Sequence, residues 1–367
     1  MTRAVPAQLW VASCGRSAGD SAWAGLELLR RDTAGVLRRA GVHLPIGGAS
    51  FAVAHPWLGQ VYAVQEQEAG QVVSVDVSPC ARPRISGTQT SGGSLPCHLT
   101  VHPSGRYLLT ANYGDGAVGV VRLSESGTVG DVTHRISHAG QGPVSPRQGG
   151  PHAHMVTVHP DGRTVLSTDL GTDTVHSYRF DVTAGRLHPL QDVATPPGFG
   201  PRHLVRHPDG TLYVLGELSS TILILRPGDR DFLEPVGELR ASCAEIAGPN
   251  YPAEIALAAD ARFLYVSHRG GDCVSVFRVR DDRQLEPVAD ISSGGACPRH
   301  FTLLGDRLYV ANQLSDSVAE FTIDPRTGLP ERTGPPVPVP APSAVVPAAR
   351  PGTGVRLGCW RSPSLRC

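Results

Sequence analysis

Residues 151–181 read PHAHMVTVHPDGRTVLSTDLGTDTVHSYRFD, and the rest of the chain repeats that phrase with variations. Pro96–Leu123 gives PCHLTVHPSGRYLLTANYGDGAVGVVRL, and further copies span Pro201–Leu225, Pro252–Val279 and Pro298–Asp324. Ser50–Val77 is a more diverged copy, SFAVAHPWLGQVYAVQEQEAGQVVSVDV. The His-Pro steps at 55, 102, 159 and 207 lie 47, 57 and 48 residues apart. In every unit a short apolar strand runs into His-Pro or its equivalent, and a turn such as Asp161-Gly162 follows. A second strand, a polar turn and an alternating third strand complete it. Pro fixes φ and Gly supplies a positive φ, which is hairpin chemistry. The stretch before the next unit, Leu187–Val193 for example, has room for a fourth, outer strand. Three to four antiparallel strands per roughly 50 residues, repeated along a chain, indicate a β-propeller.

Six copies are evident, and the two ends of the chain supply a seventh. Leu9–Ser13 and Gly25–Arg30 look like the second and third strands of a unit without its first. Pro342–Pro347 (PSAVVP) looks like the missing first strand. The sequence therefore predicts an all-β fold, a seven-bladed β-propeller closed by pairing of its N- and C-terminal strands. Closure removes the sheet edges that invite aggregation. One domain is expected over 9–347, with 350–367 a disordered tail rich in Pro, Gly, Ser and Arg. The only stretch with helical character, around Leu26–Arg39, is short and contains Gly, and no βαβ spacing appears.

Composition narrows the chemistry. The chain of 367 residues carries 33 basic and 33 acidic groups and no Lys, so every basic residue is Arg. A Schiff-base lysine, a pyridoxal-phosphate anchor and a P-loop lysine are excluded. Zero net charge argues against nucleic acid or an anionic membrane as partner. With 42 Gly and 32 Pro, roughly a fifth of the chain, short strands and tight turns are favoured over helices. The N-terminus MTRAVPAQLWVASCG shows no signal-peptide pattern, and no apolar run approaches the ~20 residues of a membrane span. Eight scattered Cys without a CxxC pair suggest free thiols. A soluble cytoplasmic protein is expected.

In a propeller the inner strands line a central channel, so equivalent positions of different repeats converge. Two positions stand out. At the start of the inner strand stand Cys97-His98, His154-Met155, Arg202-His203, Ala253-Glu254 and Arg299-His300. Just after the next strand stand Tyr113, Leu170, Glu217, Arg269 and Gln313. The two strands are antiparallel, so both positions face one rim. That gathers His154, Arg202, Glu217, Arg269 and Arg299 around one mouth. Arg forks clamp carboxylate or phosphate, and His and Glu are the usual acid–base groups. His98, His152, His203, Arg299 and Gln313 are expected to contact the substrate. The histidines before Pro read as hydrogen-bonded turn residues. His152 and His154 form an HxH pair, but strand alternation separates them, and no metal or other cofactor is expected.

PHAHMVTVHPDG (151–162), TDLGTDTV (168–175), GPRHLVRHPDGTLYVLGELSST (200–221) and LYVSHRGGDCVSVF (264–277) closely resemble the cycloisomerase-type 6-phosphogluconolactonase family of seven-bladed propeller lactonases. The resemblance extends from about Leu9 to Pro347. It implies that His154, Arg202, Glu217 and Arg269 are the functional set. His268 departs from it, standing where the family usually has Asn. The implied activity is hydrolysis of a small anionic sugar lactone, 6-phosphogluconolactone to 6-phosphogluconate in the pentose phosphate pathway. Arg would clamp the anion and polarise the carbonyl, and Glu217 or His154 would activate water. The alternatives are a carboxy-muconate-type lactonising cycloisomerase and a non-catalytic binding propeller, although 5% aromatic residues disfavour the latter. The expected partner is the lactone alone, with no nucleic acid, no membrane and a monomeric chain.

Overall fold

Each repeat folds as one antiparallel sheet whose strands pair in chain order, because short connections between successive strands favour a meander. The computed structural model describes residues 8–15, 24–78, 82–228 and 232–348; the segment 350–367, expected to be a disordered tail, lies outside them. Residues 52–90, 96–137, 153–194, 201–240, 252–292 and 298–338 form blades one to six. The seventh blade joins the chain ends. Pro342–Pro347 pairs with Gln8–Ser13, which pairs with Gly25–Arg31 and then Leu37–Pro45. Residues 26–39, the stretch with helical character, are thus a hairpin. No helix among the described residues is long and apolar enough to cross a membrane.

The core lies between blades. Tyr107, Leu109, Val118 and Val120 of blade two pack against Val156, Val165, Tyr178 and Phe180 of blade three, and similar clusters fill the other gaps. Two devices fasten neighbours. Buried tyrosines of the second strands reach the next blade: Tyr62 donates to Gly127 O at 2.7 Å and Tyr265 to Gly328 O at 2.8 Å. Two of the histidines before Pro do the same: His55 Nε2 lies 3.4 Å from Gly105 O of the next blade, and His102 makes a shorter contact. His102 Nδ1 accepts from Ser104 N, so its Nε2–H donates to Gly162 O at 2.8 Å. Gly162 has φ +69°, and a Cβ there would lie 3.2 Å from the His102 ring, so glycine suits both the turn and the contact.

Candidate active site

The repeats place a β-bulge at one position of the inner strand. In blade two Pro96 pairs with Asn112 and His98 with Ala111, leaving Cys97 unpaired. The same slip leaves out His154 in blade three, Arg299 in blade six and Ser343 in blade seven. In blades four and five two residues, Arg202-His203 and Ala253-Glu254, oppose one. A regular strand would send consecutive side chains to opposite faces. The bulge re-aims the extra residue, so Arg202 and His203, and likewise Arg299 and His300, both line the channel. The second position immediately follows the second strand in all seven blades, as Glu66, Tyr113, Leu170, Glu217, Arg269, Gln313 and Cys14.

Residues from both positions, joined by Arg147 and Tyr251, enclose a polar cavity of about 330 Å³ in which Arg147, Arg202, Arg269 and Arg299 face Glu66 and Glu217. Glu217, 1% exposed, is gripped three times. Its Oε1 accepts from Arg147 Nη2 at 2.6 Å, and its Oε2 meets Arg202 Nη1 at 2.7 Å and Arg269 Nη2 at 2.8 Å. Arg202 also donates to His154 Nε2 at 2.5 Å and, through Nε, to Ala253 O at 2.8 Å. Arg269 Nε donates to Tyr251 O at 3.0 Å. Arg299, in contrast, has no hydrogen-bond or ion-pair partner among the described residues. A larger groove of about 710 Å³ between blades two and three is lined by turn residues and by Arg179, Phe180 and His188 of the outer strands, and its Asp161 caps the amides of Arg163 and Thr164.

Charge states follow from this geometry. A guanidinium only donates, so His154 Nε2 is an acceptor and the imidazole is neutral with its proton on Nδ1. Burial, then Arg202, pushes His154 well below the usual imidazole range. Burial alone would raise Glu217, but Arg202 and Arg269 outweigh it and hold the carboxyl well below the ordinary range. Burial and then Arg202 bring Arg269 down to about 10, so it stays charged at neutral pH. Burial raises the Cys97 thiol, which sits beside His154 as a neutral neighbour.

The loops above the strands are fixed by amides and one imidazole. Gln148 is fully buried; its Nε2 donates to Leu170 O at 2.8 Å and Asp173 Oδ1 at 2.7 Å, and its Oε1 accepts from Val144 N. Asp173 also accepts from Gly198 N and Gly200 N, just before Arg202. One knot therefore ties the loop carrying Arg147 to the approach to Arg202. We expect Gln148→Ala to leave buried groups unpaired, costing about 1–3 kcal/mol. KM should rise roughly tenfold with kcat little changed. Steady-state kinetics together with hydrogen exchange of residues 139–150 check this. His268 works as an amide would: Nδ1 accepts from Asn250 Nδ2 at 3.0 Å and Nε2–H donates to Ala241 O at 3.0 Å. That tie steadies the segment between Asn250 and Arg269.

Of the residues singled out in the sequence, His154, Arg202, Glu217, Arg269 and Arg299 line the cavity. His203 lines a narrow space beneath it, with Nδ1 3.1 Å from Glu254 Oε2. His98, His152 and Gln313 line neither. His98 is buried against Phe51, because the residue after the bulge turns down the channel. His152 precedes its strand; its ring stacks on Tyr113, and Nδ1–H donates to Tyr113 O at 2.7 Å. Gln313 turns toward Cys14 Sγ at 3.1 Å. Glu66, Arg147 and Tyr251 were missed. Arg147 comes from a loop with no counterpart in the other repeats, whereas Tyr251 immediately precedes its inner strand, the place that His152 takes in blade three. Glu66 was within reach, because counting to the residue after the second strand of the weakly marked Ser50–Val77 unit ends on it.

Comparison with known proteins agrees with this architecture. The family model described as "Lactonase, 7-bladed beta-propeller" matches residues 9–347. A 6-phosphogluconolactonase of Bacillus subtilis is 31% identical over 261 residues, covering 68% of this chain and 74% of the relative. The structure of a periplasmic gluconolactonase of Pseudomonas aeruginosa superposes with a TM-score of 0.85 at 29% identity, covering 94% of this chain and 99% of that one. A Lactobacillus plantarum protein superposes with a TM-score of 0.85 at 27% identity, covering 93% and 99%. With the ring of seven sheets, the bulged inner strands and the arginine-caged glutamate in place, the chain belongs to the seven-bladed β-propeller lactonase family.

Proposed function

We propose that this lactonase hydrolyses a small anionic sugar lactone, with 6-phosphogluconolactone, opened to 6-phosphogluconate in the pentose phosphate pathway, as its substrate. The observation that carries the reading is the charge of the cavity. Four guanidiniums face two carboxylates, and the imidazole is neutral, leaving an excess of about two positive charges for a phosphate monoester dianion. Arg299 offers all its donors to that group. The relative named 6-phosphogluconolactonase agrees with this choice. His154, Arg202, Glu217 and Arg269 form the catalytic set: Glu217 and His154 aim Arg202 and Arg269, whose remaining N–H groups polarise the lactone carbonyl. Preorganised donors of this kind contribute ~10²–10³-fold each. The reading needs no metal or organic cofactor. We assign a cytoplasmic, monomeric protein, in keeping with five free cysteines among the described residues.

The test is a coupled or pH-stat assay with freshly made 6-phosphogluconolactone beside uncharged gluconolactone. The wild type should strongly prefer the phosphorylated lactone. Arg299→Ala, which breaks no hydrogen bond or ion pair among the described residues, should lower kcat/KM for the phosphorylated substrate roughly 10–100-fold, the equivalent of one lost charge-assisted contact. It should barely change the uncharged one. Equal wild-type rates on both lactones would remove the phosphate from the reading.

A further inference from the structure

Lactone hydrolysis needs a group to take a proton from water, and the two groups the sequence offers for it are both engaged. Glu217 has each carboxylate oxygen on arginine, and the His154 lone pair is on Arg202. Glu66 is the other carboxylate of the cavity. It has no side-chain hydrogen bond or ion pair among the described residues. It stands at the register position of Glu217 but in blade one rather than blade four, nearly across the ring. Its backbone is fixed while its side chain is free. Glu66 N donates to Gly48 O at 2.9 Å, and Gly48, at φ +70°, lies so close that a Cβ there would meet the Glu66 backbone at 3.1 Å. Against the effect of burial, the Glu66 carboxylate favours the charged form of Arg299, with no hydrogen bond or ion pair between the two.

Resting on the lactonase reading above, we propose that Glu66 is the catalytic base of this site, deprotonating the attacking water from the side of the cavity opposite the caged Glu217. Two carboxylates in one pocket, one neutralised by arginine and one left with open lone pairs, divide their roles by environment. The water oxygen bonds to the carbonyl carbon as its proton passes to Glu66, and the carbonyl π pair moves onto oxygen facing the Arg202 and Arg269 donors. The tetrahedral adduct then collapses. The π bond reforms, the ring C–O bond breaks, and Glu66 returns its proton to the departing ring oxygen. The net change is lactone plus water to hydroxy acid, which loses its proton to solvent.

The experiment uses the full chain with 6-phosphogluconolactone, corrected for spontaneous opening. Glu66→Gln and Glu66→Ala should lower kcat by ~10²–10³-fold, the scale of a lost general base, with KM and the thermal midpoint close to wild type. Added formate should restore part of the Glu66→Ala rate, because a small carboxylate fits the space vacated; it should not rescue Glu66→Gln. A Glu66→Gln enzyme within threefold of the wild-type kcat overturns the assignment, as does a loss in KM alone, or a loss of kcat that formate leaves unrescued in Glu66→Ala. A wild type that opens neither the phosphorylated nor the uncharged lactone instead overturns the hydrolase reading, and the base assignment falls with it.

Discussion

Glu217→Gln should lose about 3–5 kcal/mol of stability at neutral pH and most of its activity, because it removes the one anion that three guanidiniums share. Breaking a buried charge network on one side leaves the other side uncompensated, which is the costly way to lose an ion pair. Arg147, Arg202 and Arg269 would then face one another across a buried space. The pH dependence gives a sharper check. The Glu217 carboxyl is held well below its ordinary value in the folded protein. A group depressed by folding contributes stability above its unfolded pKa, and that contribution is lost as pH falls toward the folded one. Wild type and variant should therefore differ most near neutrality. The gap should narrow as the pH drops below roughly 4.5, the ordinary range for glutamate. Urea unfolding across that range measures it; a constant gap would mean that the carboxylate charge is not what stabilises the cluster. Added phosphate should raise the variant's thermal midpoint more than the wild type's, since an anion can enter the vacated cage. With the arginines no longer aimed, kcat/KM should fall by ~10²–10³-fold.

The fold was legible because its signal is periodic. A His-Pro turn or its equivalent marks the end of one inner strand after another, and the unpaired-looking ends Leu9–Ser13 and Pro342–Pro347 completed one another by the same pattern. The convergence of His154, Arg202, Glu217, Arg269 and Arg299 was legible for the same reason, since equal register places equal heights around the ring. What the pattern could not carry is the bulge. Strict alternation cannot say that Arg202 and His203 both face the channel, or that His98 turns away from the cavity; that depends on a two-for-one pairing visible only in the register. Roles are further from the sequence still. Whether a glutamate is a base or the counter-ion of a cage depends on distances of 2.6–2.8 Å to side chains up to 70 residues away. Arg147 belongs to a loop that no repeat predicts, yet it contributes one of the three contacts.

Val345→Asp should open the ring. The strand Pro342–Pro347 holds both flanks of the seventh blade: Val345 pairs with Val11 and packs with Leu9, Tyr309 and Val318 toward blade six. Ala344 and Val346 pack with Trp10, Leu26 and the Val61, Val73 and Val75 of blade one. Ser343 Oγ donates to Ala12 O at 3.0 Å and lies 3.3 Å from Ala49 O. Val345 is buried among apolar side chains, so a carboxylate in its place would lose its water and leave the packing of Leu9, Tyr309 and Val318 unfilled. Such a substitution belongs to the rare class costing more than about 4–5 kcal/mol. Val36→Asp, at a position 44% exposed, is the matched control and should stay within about 0.5 kcal/mol of wild type. Loss of closure also bares the edge of Gln8–Ser13, so the opened protein should associate, which gel filtration will show. Function should fail first. Arg299 in blade six and Glu66 in blade one flank the closing blade, so its pairing sets the gap between them. In the milder Val345→Ala, activity should therefore disappear at urea concentrations below those of the global transition. Coincident loss of activity and fold, with a wild-type midpoint for Val345→Asp, would show that the closing strand neither holds the ring nor spaces the site.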